Sequence, residues 1–548
     1  RKISVVERGP PCSMSRSIRK IAIIDIGSNS MRLEIFAIRD NDWWLIERHK
    51  APARISQGMY EDQIIKKEAI ARAREAICLF AGQIALHHIK KVRCTATSAI
   101  RDALNQKEVL GILSEGIPFP VEVLSGEDEA FYSYFGVRTS INIHDGLVFD
   151  VGGGSTELIR IQNGEHIATT TLPLGAVRLS ESFFKKSGTP SETEWKRLER
   201  HIDKTLREGE ILSGGTPKLL IGVGGTVRQL ARISQKKEHY PLIPQVHQYS
   251  LQKNQVNRIL MEIRKSSIEN RISSLGVSKD RADILPAGIL IISRILEGAR
   301  SPLLTVSQHG LRHGLFMETF LETTKPPLHD ISKDTISRLV SRFGSYEESR
   351  SFRRLLLKLY ETIHPETMID KETKKLLRAL GALALTTLSY RPTGDSESAS
   401  FLLKEECPGF SPQERILLFL ALTQYRTHSD ITIRKNNRSL FLSLSPKDQG
   451  RVVFFSRLAK LVREILIFTS GDMPQLSYAE PHLTIRDNRD EEEGGIERLV
   501  STKEMEFEKG RPVIVIWMRI ESYSGQNGAR PKSIEPILNG EDNDNGEY

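Results

Sequence analysis

Two stretches of the chain follow one plan. "RKIAIIDIGSNS" (19–30) and "GLVFDVGGGSTE" (146–157) are each a short β-rich apolar run that ends on an Asp and breaks into a Gly/Ser loop. A strand-like segment follows each loop, "MRLEIFAI" (31–38) and "LIRIQNG" (158–164). A third apolar run, "LLIGVGGTV" (219–227), ends in glycines without the Asp. Helical periodicity over 66–86 and 191–212 occupies comparable places in the two halves. A repeat of this kind implies two related α/β lobes, each opening with a hairpin whose tight turn points at a shared cleft.

Glycines without Cβ let backbone N–H groups surround an anion and admit conformations that other residues avoid, so phosphate is the natural guest of such loops. A tight hairpin turn is the simpler reading of any one of them. The case for phosphate grows because two loops each add a carboxylate and hydroxyls. The candidates are Gly27, Ser28, Asn29 and Ser30 in the first loop and Gly152, Gly153, Gly154, Ser155 and Thr156 in the second. Gly224, Gly225 and Thr226 end the third run. Asp25, Asp150 and Glu157 form the hard-oxygen set that Mg²⁺ takes together with water and phosphate oxygens, although each could instead cap a turn. Neither GxxxxGK[ST] nor GxGxxG is present, which excludes a P-loop and a dinucleotide fingerprint.

The chain has 548 residues, enough for several cores, and its 27% charged and 39% hydrophobic content is that of a folded globular protein. A net charge of +9 favours polyanionic partners. Cys12, Cys78, Cys94 and Cys407 lack metal-ligand or disulfide-framework spacing. No apolar run reaches the roughly 18 residues of a membrane span, and the first twenty residues lack a signal-like core, so we expect a cytoplasmic protein without membrane contact. Residues 1–17 are expected as a disordered extension, the first thirteen preceding the natural start at Met14. Paired prolines in "TTKPPLHD" (323–330) mark a boundary. Helical periodicity then runs to about 470, strands return around the acidic turn "RDEEEGG", and a Gly/Asn-rich acidic tail closes the chain.

Seven motifs, in order, carry a resemblance: "DIGSNSMRL" (25–33), "TATSAIRDALN" (95–105), "EVLSGEDEAFYSYFGV" (122–137), "VFDVGGGSTEL" (148–158), "LPLGAVRLSE" (172–181), "GVGGTVRQLA" (222–231) and "HGLRHGLF" (309–316). Over about residues 18–320 the chain resembles the exopolyphosphatase and guanosine pentaphosphate phosphatase family. The resemblance implies an α/β fold of two actin-like, ribonuclease H-like lobes (18–140 and 141–322). It further implies an all-helical HD-like domain (323–478) and a small α+β domain (479–521), with a disordered tail at 522–548.

Glu127, Asp128 and Glu129 taken alone read as a solvated turn, and Arg101 as a surface helix arginine. The resemblance makes Glu129, directly before the alanine of "SGEDEA", the residue that orients and deprotonates water, and Arg101 a phosphate ligand. Asp128 stands where the family has glutamate, and Phe131 where arginine is common. The HD metal pair should fall at Ala384 and Leu385, so the helical domain is expected to do no chemistry; its basic helix (349–360) reads equally as a path for a polyanion or a solvated face. His329-Asp330 sits in the proline-rich linker and His309 and His313 in another motif.

These readings imply an exopolyphosphatase acting on inorganic polyphosphate, and also on guanosine pentaphosphate to yield the tetraphosphate, with Mg²⁺, as a homodimer and with no nucleic-acid partner. An actin-like ATPase or kinase, and a non-catalytic nucleotide sensor, remain the alternatives.

Overall fold

The computed structural model describes residues 18–40, 42–184, 189–240, 245–343, 346–364, 368–390, 399–426, 437–468, 475–479, 482–486, 497–505 and 513–518. The expected extension at 1–17 and tail at 522–548 lie outside the described residues.

The first sheet holds β1 (Arg19–Ile26), β2 (Met31–Arg39), β3 (Asp42–Ala51), β4 (Lys91–Ala96) and β5 (Glu122–Val123) in the order β3-β2-β1-β4-β5. The second holds β6 (Gly146–Val151), β7 (Thr156–Gln162), β8 (Glu165–Leu172), β9 (Leu220–Val223), β10 (Ser250–Gln252) and β11 (Leu303–Val306) in the order β10-β11-β9-β6-β7-β8. In both, an antiparallel three-strand meander is extended by a parallel partner reached through a helical crossover, β4 beside β1 and β9 beside β6. The repeat holds residue for residue: Asp25 lies opposite Arg32 across the first hairpin and Asp150 opposite Glu157 across the second. The same strand position thus carries a cation in one lobe and an anion in the other.

Strands buried on both faces explain the continuous apolar runs: Ile23, Ile24, Leu147, Val148 and Phe149 are fully buried. The crossover helices pack their apolar stripes on the sheets, Ile70, Ala73 and Ile77 of helix Lys67–Leu86 in the first lobe and Trp195, Leu198 and Ile202 of helix Glu192–Glu208 in the second. The second of these opens with a capping box between Ser191 and Glu194.

Two helices close the gap between the sheets. Helix Gly126–Arg138 buries Ala130, Tyr134 and Val137 with Val148 and Ile159 of the second sheet, and helix Leu311–Leu321 buries Leu315 and Phe316 with Ile21, Ile23 and Phe36 of the first. They cross at backbone contact: Gly136 faces the carbonyl of Gly310, and Gly314 the carbonyl of Tyr132.

Beyond residue 323 come helices Ile331–Phe343, Tyr346–Ile363, Lys371–Tyr390, Pro412–Arg426 and Pro446–Phe468. By compactness the chain forms two units, Arg1–Arg354 with Ile369–Lys460, and Leu355–Met368 with Leu461–Tyr548. Much of the helical segment therefore belongs to the same unit as the lobes. Arg342 grips Asp42 of β3 through two nitrogens at 2.8 and 2.9 Å, and Arg338 lies 4.4 Å over the Trp43 ring. Ala384, where the resemblance seeks a metal ligand, is buried in helix Lys371–Tyr390.

The second unit contains a four-stranded antiparallel sheet, Gln475–Ala479, His482–Arg486, Glu497–Met505 and Val513–Met518 in sequence order. Among the described residues no helix is long and apolar enough to cross a membrane.

A Cβ on Gly314 would land on the Tyr132 carbonyl, which cannot move aside. Gly314→Ala should cost about 2 kcal/mol or more through overpacking, read as a lowered midpoint in thermal unfolding. Gly111→Ala, with nothing within 4 Å of the new methyl in helix Gln106–Ser114, should leave the midpoint unchanged or raise it.

Candidate active site

The turns after β1 and β6 meet at the cleft between the lobes. A Cβ on Gly153 would stand 2.7 Å from the Ser28 Cβ, and one on Gly154 would reach the Ser98 hydroxyl at 2.6 Å. Gly152, Gly153 and Gly154 do not have positive φ, so close approach of the first lobe, rather than backbone conformation, is what forbids side chains at Gly153 and Gly154, while a Cβ on Gly152 would meet only the Ser155 carbonyl of its own turn at 3.1 Å. Gly224 does need a left-handed backbone, at φ 99°, where β9 turns sharply into helix Gly225–Lys237.

The cleft wall includes Asp25, Gly27, Ser28, Asn29 and Ser30 from the first loop, Asp150, Gly152 and Gly153 from the second, Gly224, Gly225 and Thr226 from the third, and Glu129. Gly154, Ser155, Thr156, Glu157 and Arg101 are not among the residues of the wall. Two expected phosphate hydroxyls are committed internally: Ser155 donates to Glu157 Oε1 at 2.6 Å and Thr156 to the Leu174 carbonyl. The Gly152 N–H likewise closes the turn onto Ser155 O at 2.9 Å, while Asn29 Nδ2 donates to the Asp280 carbonyl at 3.1 Å.

Local structure separates the three acids of "SGEDEA". Ser125 caps helix Gly126–Arg138, and Asp128 at the third helical position returns the capping box, so Asp128 is structural. Glu127 is exposed, and Glu129 turns inward to 8% exposure. Arg101 Nη1 donates to Glu129 Oε2 at 2.9 Å and to the Leu124 carbonyl at 3.1 Å. Burial pushes the Glu129 carboxyl up to about 7, Arg101 pulls against it, and Asp150 and Asp25 add to the rise. Burial also raises Glu157, with Glu129 and Asp150 contributing, and raises Asp150 against the pull of a 2.9 Å hydrogen bond from Ser133.

These buried carboxylates bear on the expected Mg²⁺. Glu157 Oε2 is buried without a hydrogen-bond partner, and mutual repulsion among Glu129, Asp150 and Glu157 is what a cation relieves. Among the described residues no group of three or more His, Cys, Asp or Glu is arranged to hold a metal alone. Mg²⁺ needs only one or two carboxylates beside water and phosphate oxygens, so Asp150 and Glu157 fit it. Asp25 has another engagement: its Oδ2 receives Arg312 Nη1 at 2.9 Å.

Four arginines that sequence reasoning passed over line the cleft, Arg32, Arg228 and Arg312 from within the motifs and Arg281 from outside them. Burial, then repulsion from Arg312 and Arg281, pulls Arg32 down to about 9. Burial and the other three arginines pull Arg228 well below its ordinary value, and burial lowers Arg281 as well. Only Arg312 is raised, because Glu34 at 3.3 Å and Asp25 outweigh its desolvation. Glu34 in turn pairs with Arg48 at 3.2 Å, and Arg48 with Glu406 of the helical segment at 2.7 Å. The available signal was position: Arg228 and Arg312 each stand within three residues of a loop glycine, and Arg32 two residues beyond the loop serine Ser30.

The geometry is that of a cationic well beside a group of carboxylates with raised pKa, and comparison with known proteins agrees. The profile of the Ppx/GppA phosphatase family matches residues 34–323, more than half of the chain. The chain belongs to the Ppx/GppA phosphatase family. It is 27% identical over 473 residues to a protein of Vibrio vulnificus (strain YJ016) named guanosine-5'-triphosphate,3'-diphosphate pyrophosphatase, covering 85% of this chain and 89% of that one. It is similar to the crystal structure of an exopolyphosphatase from Cytophaga hutchinsonii, with TM-score 0.53 and 24% identity over 56% of this chain and 99% of that one. It is also similar to the crystal structure of an exopolyphosphatase-like protein, with TM-score 0.51 and 25% identity over 56% of this chain and 98% of that one. The two lobes have the actin-like architecture of this family, and the chain is a phosphohydrolase.

A carboxylate takes a proton from water only when deprotonated, and the raised pKa of Glu129 means that its proton leaves as pH rises through about 7. The kcat/KM profile should therefore fall on the acid side of that value. Arg101→Gln removes the cation that pulls the carboxyl down and should move this limb to higher pH; a limb unchanged in position would refute the coupling.

Proposed function

We propose that this phosphohydrolase removes the terminal phosphate from a polyphosphorylated anion, taking inorganic polyphosphate and guanosine pentaphosphate into one cleft. The observation that carries this reading is the crowding of Arg32, Arg228, Arg281 and Arg312, three of them held below their ordinary pKa by burial and by one another. A substrate with several adjacent phosphate charges relieves that repulsion, and a singly charged one does not. The names of the relatives point to the same two substrates.

In the reaction, the loop backbones at Gly27–Ser30, Gly153 and Gly224–Thr226 surround the terminal phosphoryl group, and the arginines hold the bridging chain behind it. Glu129 accepts the proton of a water placed in line with the leaving phosphate oxygen. Arg101, fixed by the Leu124 carbonyl, keeps the Glu129 carboxylate in one orientation. Asp150 and Glu157 would hold Mg²⁺, which would supply neutralisation of the phosphate charge. The lobes are clasped over the substrate by Arg54 on Asp283, at 2.8 and 3.1 Å, and Lys50 on Asp280, at 2.5 Å.

Glu129→Gln keeps the shape and removes the base, so phosphate release should fall by about 10²- to 10⁴-fold while polyphosphate binding persists. Wild-type turnover in a folded variant would sink the assignment. Polyphosphate, guanosine pentaphosphate and ATP should be offered side by side with Mg²⁺; preferred ATP turnover would overturn the substrate reading. Chelation with EDTA should stop phosphate release and added Mg²⁺ restore it, with Asp150→Asn requiring more of the ion.

A further inference from the structure

A second cationic cavity lies away from the cleft, where the second lobe meets the helical segment within the larger unit. Its volume is 440 Å³, and its wall includes Arg138, Asn142, Leu328, Lys371 and Lys375. Arg138 is the last residue of helix Gly126–Arg138, the helix whose first turns carry Glu129. It is 4% exposed, its Nε and Nη1 have no hydrogen-bond partner, and among the described residues no carboxylate pairs with it. Burial lowers its pKa, and only the Tyr134 hydroxyl opposes the shift.

The helix C-terminus accounts for a cation at this position. It does not account for a buried one lacking a counter-ion, because breaking or omitting one partner of a buried ion pair is strongly destabilising. An unpaired buried polar group of this kind calls for an explanation, and a bound ion is one that would also supply the counter-charge.

The other side of the cavity is formed by the first turn of helix Lys371–Tyr390, through Lys371, Glu372 and Lys375. A twenty-residue helix presents the positive end of its dipole there, with Asp370 capping the Thr373 N–H at 2.7 Å and the rest of the dipole left to a further anion. The acidic groups on the wall are already satisfied: Asp330 accepts from Asn142 and Ser332, and Glu372 from Arg451 at 2.8 Å. Lys375 is paired with Glu414, and His329 with Asp334. Arg138 and Lys371 are the cations left to meet a ligand.

We propose that this cavity is a second anion site, separate from the cleft, which binds a phosphate or diphosphate group between Arg138, Lys371 and the start of helix Lys371–Tyr390. Leu328, 59% exposed at the rim, leaves room for the body of a larger phosphorylated molecule. The bound group completes the ion pairing of Arg138 and so anchors the far end of the helix that carries Glu129.

The test is calorimetric titration of the full chain, carrying Glu129→Gln to prevent turnover, with inorganic phosphate, pyrophosphate and guanosine 5'-diphosphate in separate arms. At least one of these probes should bind at two sites per chain. Arg138→Gln should reduce the two to one. Lys371→Ala, a change at an exposed residue that leaves the fold intact, should weaken one site about tenfold, the equivalent of one charge-assisted hydrogen bond, and leave the other untouched. Strongest binding by phosphate or pyrophosphate assigns the site to a free anion, and strongest binding by the nucleotide to a larger molecule. A single site with every probe, or two sites unaffected by Lys371→Ala, overturns the proposal, and the second outcome decides even if Arg138→Gln fails to fold.

Discussion

Guanidinium groups buried side by side repel one another, and the architecture around the cleft is what keeps four of them there. Arg312 is tolerated because Asp25 and Glu34 flank it, and the same Glu34 reaches Arg48, which reaches Glu406. This alternating series of charges runs from the first hairpin to the helical segment. It ties a part of the chain outside the family match to the wall of the site. Arg32, Arg228 and Arg281 are less fully compensated, and their lowered pKa values express the stability given up to keep the well cationic. Sites poised in this way bind polyanions strongly because the ligand supplies the missing counter-charge.

The carboxylates pose the opposite problem in the same space. Glu129 and Glu157 are buried and Asp150 half-buried, and desolvation raises the pKa of all three, a penalty that a cation among them would offset. Placement of Glu129 depends on two features far from its side chain: the capping box that starts its helix at Ser125, and the glycine crossing with helix Leu311–Leu321 that sets the helix depth. The motif "HGLRHGLF" combines both kinds of requirement, since Gly310 and Gly314 permit the crossing and Arg312 between them enters the cleft.

Much of this was legible before any coordinates. The duplicated strand, Asp, loop and strand predicted paired hairpins, and the sheets repeat with matching registers at Asp25 and Asp150. The third apolar run predicted a glycine turn and proved to be β9 leading into a helix. Other details were hidden. Residues 155 and 156 read as phosphate hydroxyls, yet both hydroxyls bond inside the protein, Ser155 to the Glu157 carboxylate two residues on and Thr156 to the Leu174 carbonyl just past the neighbouring strand. The glycines at 153 and 154 read as donors freed by missing side chains, and they also accommodate the opposite lobe. Arg32 and Arg228 went unnoticed because an arginine in a strand or helix ordinarily faces water, and closeness to a loop does not by itself show which way the side chain turns.

The sequence by itself determined the local geometry: where strands end, which turns need glycine, which serine caps the helix of Glu129, and which family the motifs belong to. Those outcomes follow from interactions between near neighbours in the chain, whose range is a few residues. Tertiary structure alone decided which charges meet. Asp25 is bound to Arg312 from 287 positions away, Arg48 to Glu406 from 358, and Arg101 to Glu129 from 28. Coulomb energy and desolvation depend on distance and burial in space, so the protonation of Glu129 and the character of the well exist only once the two lobes have closed on each other.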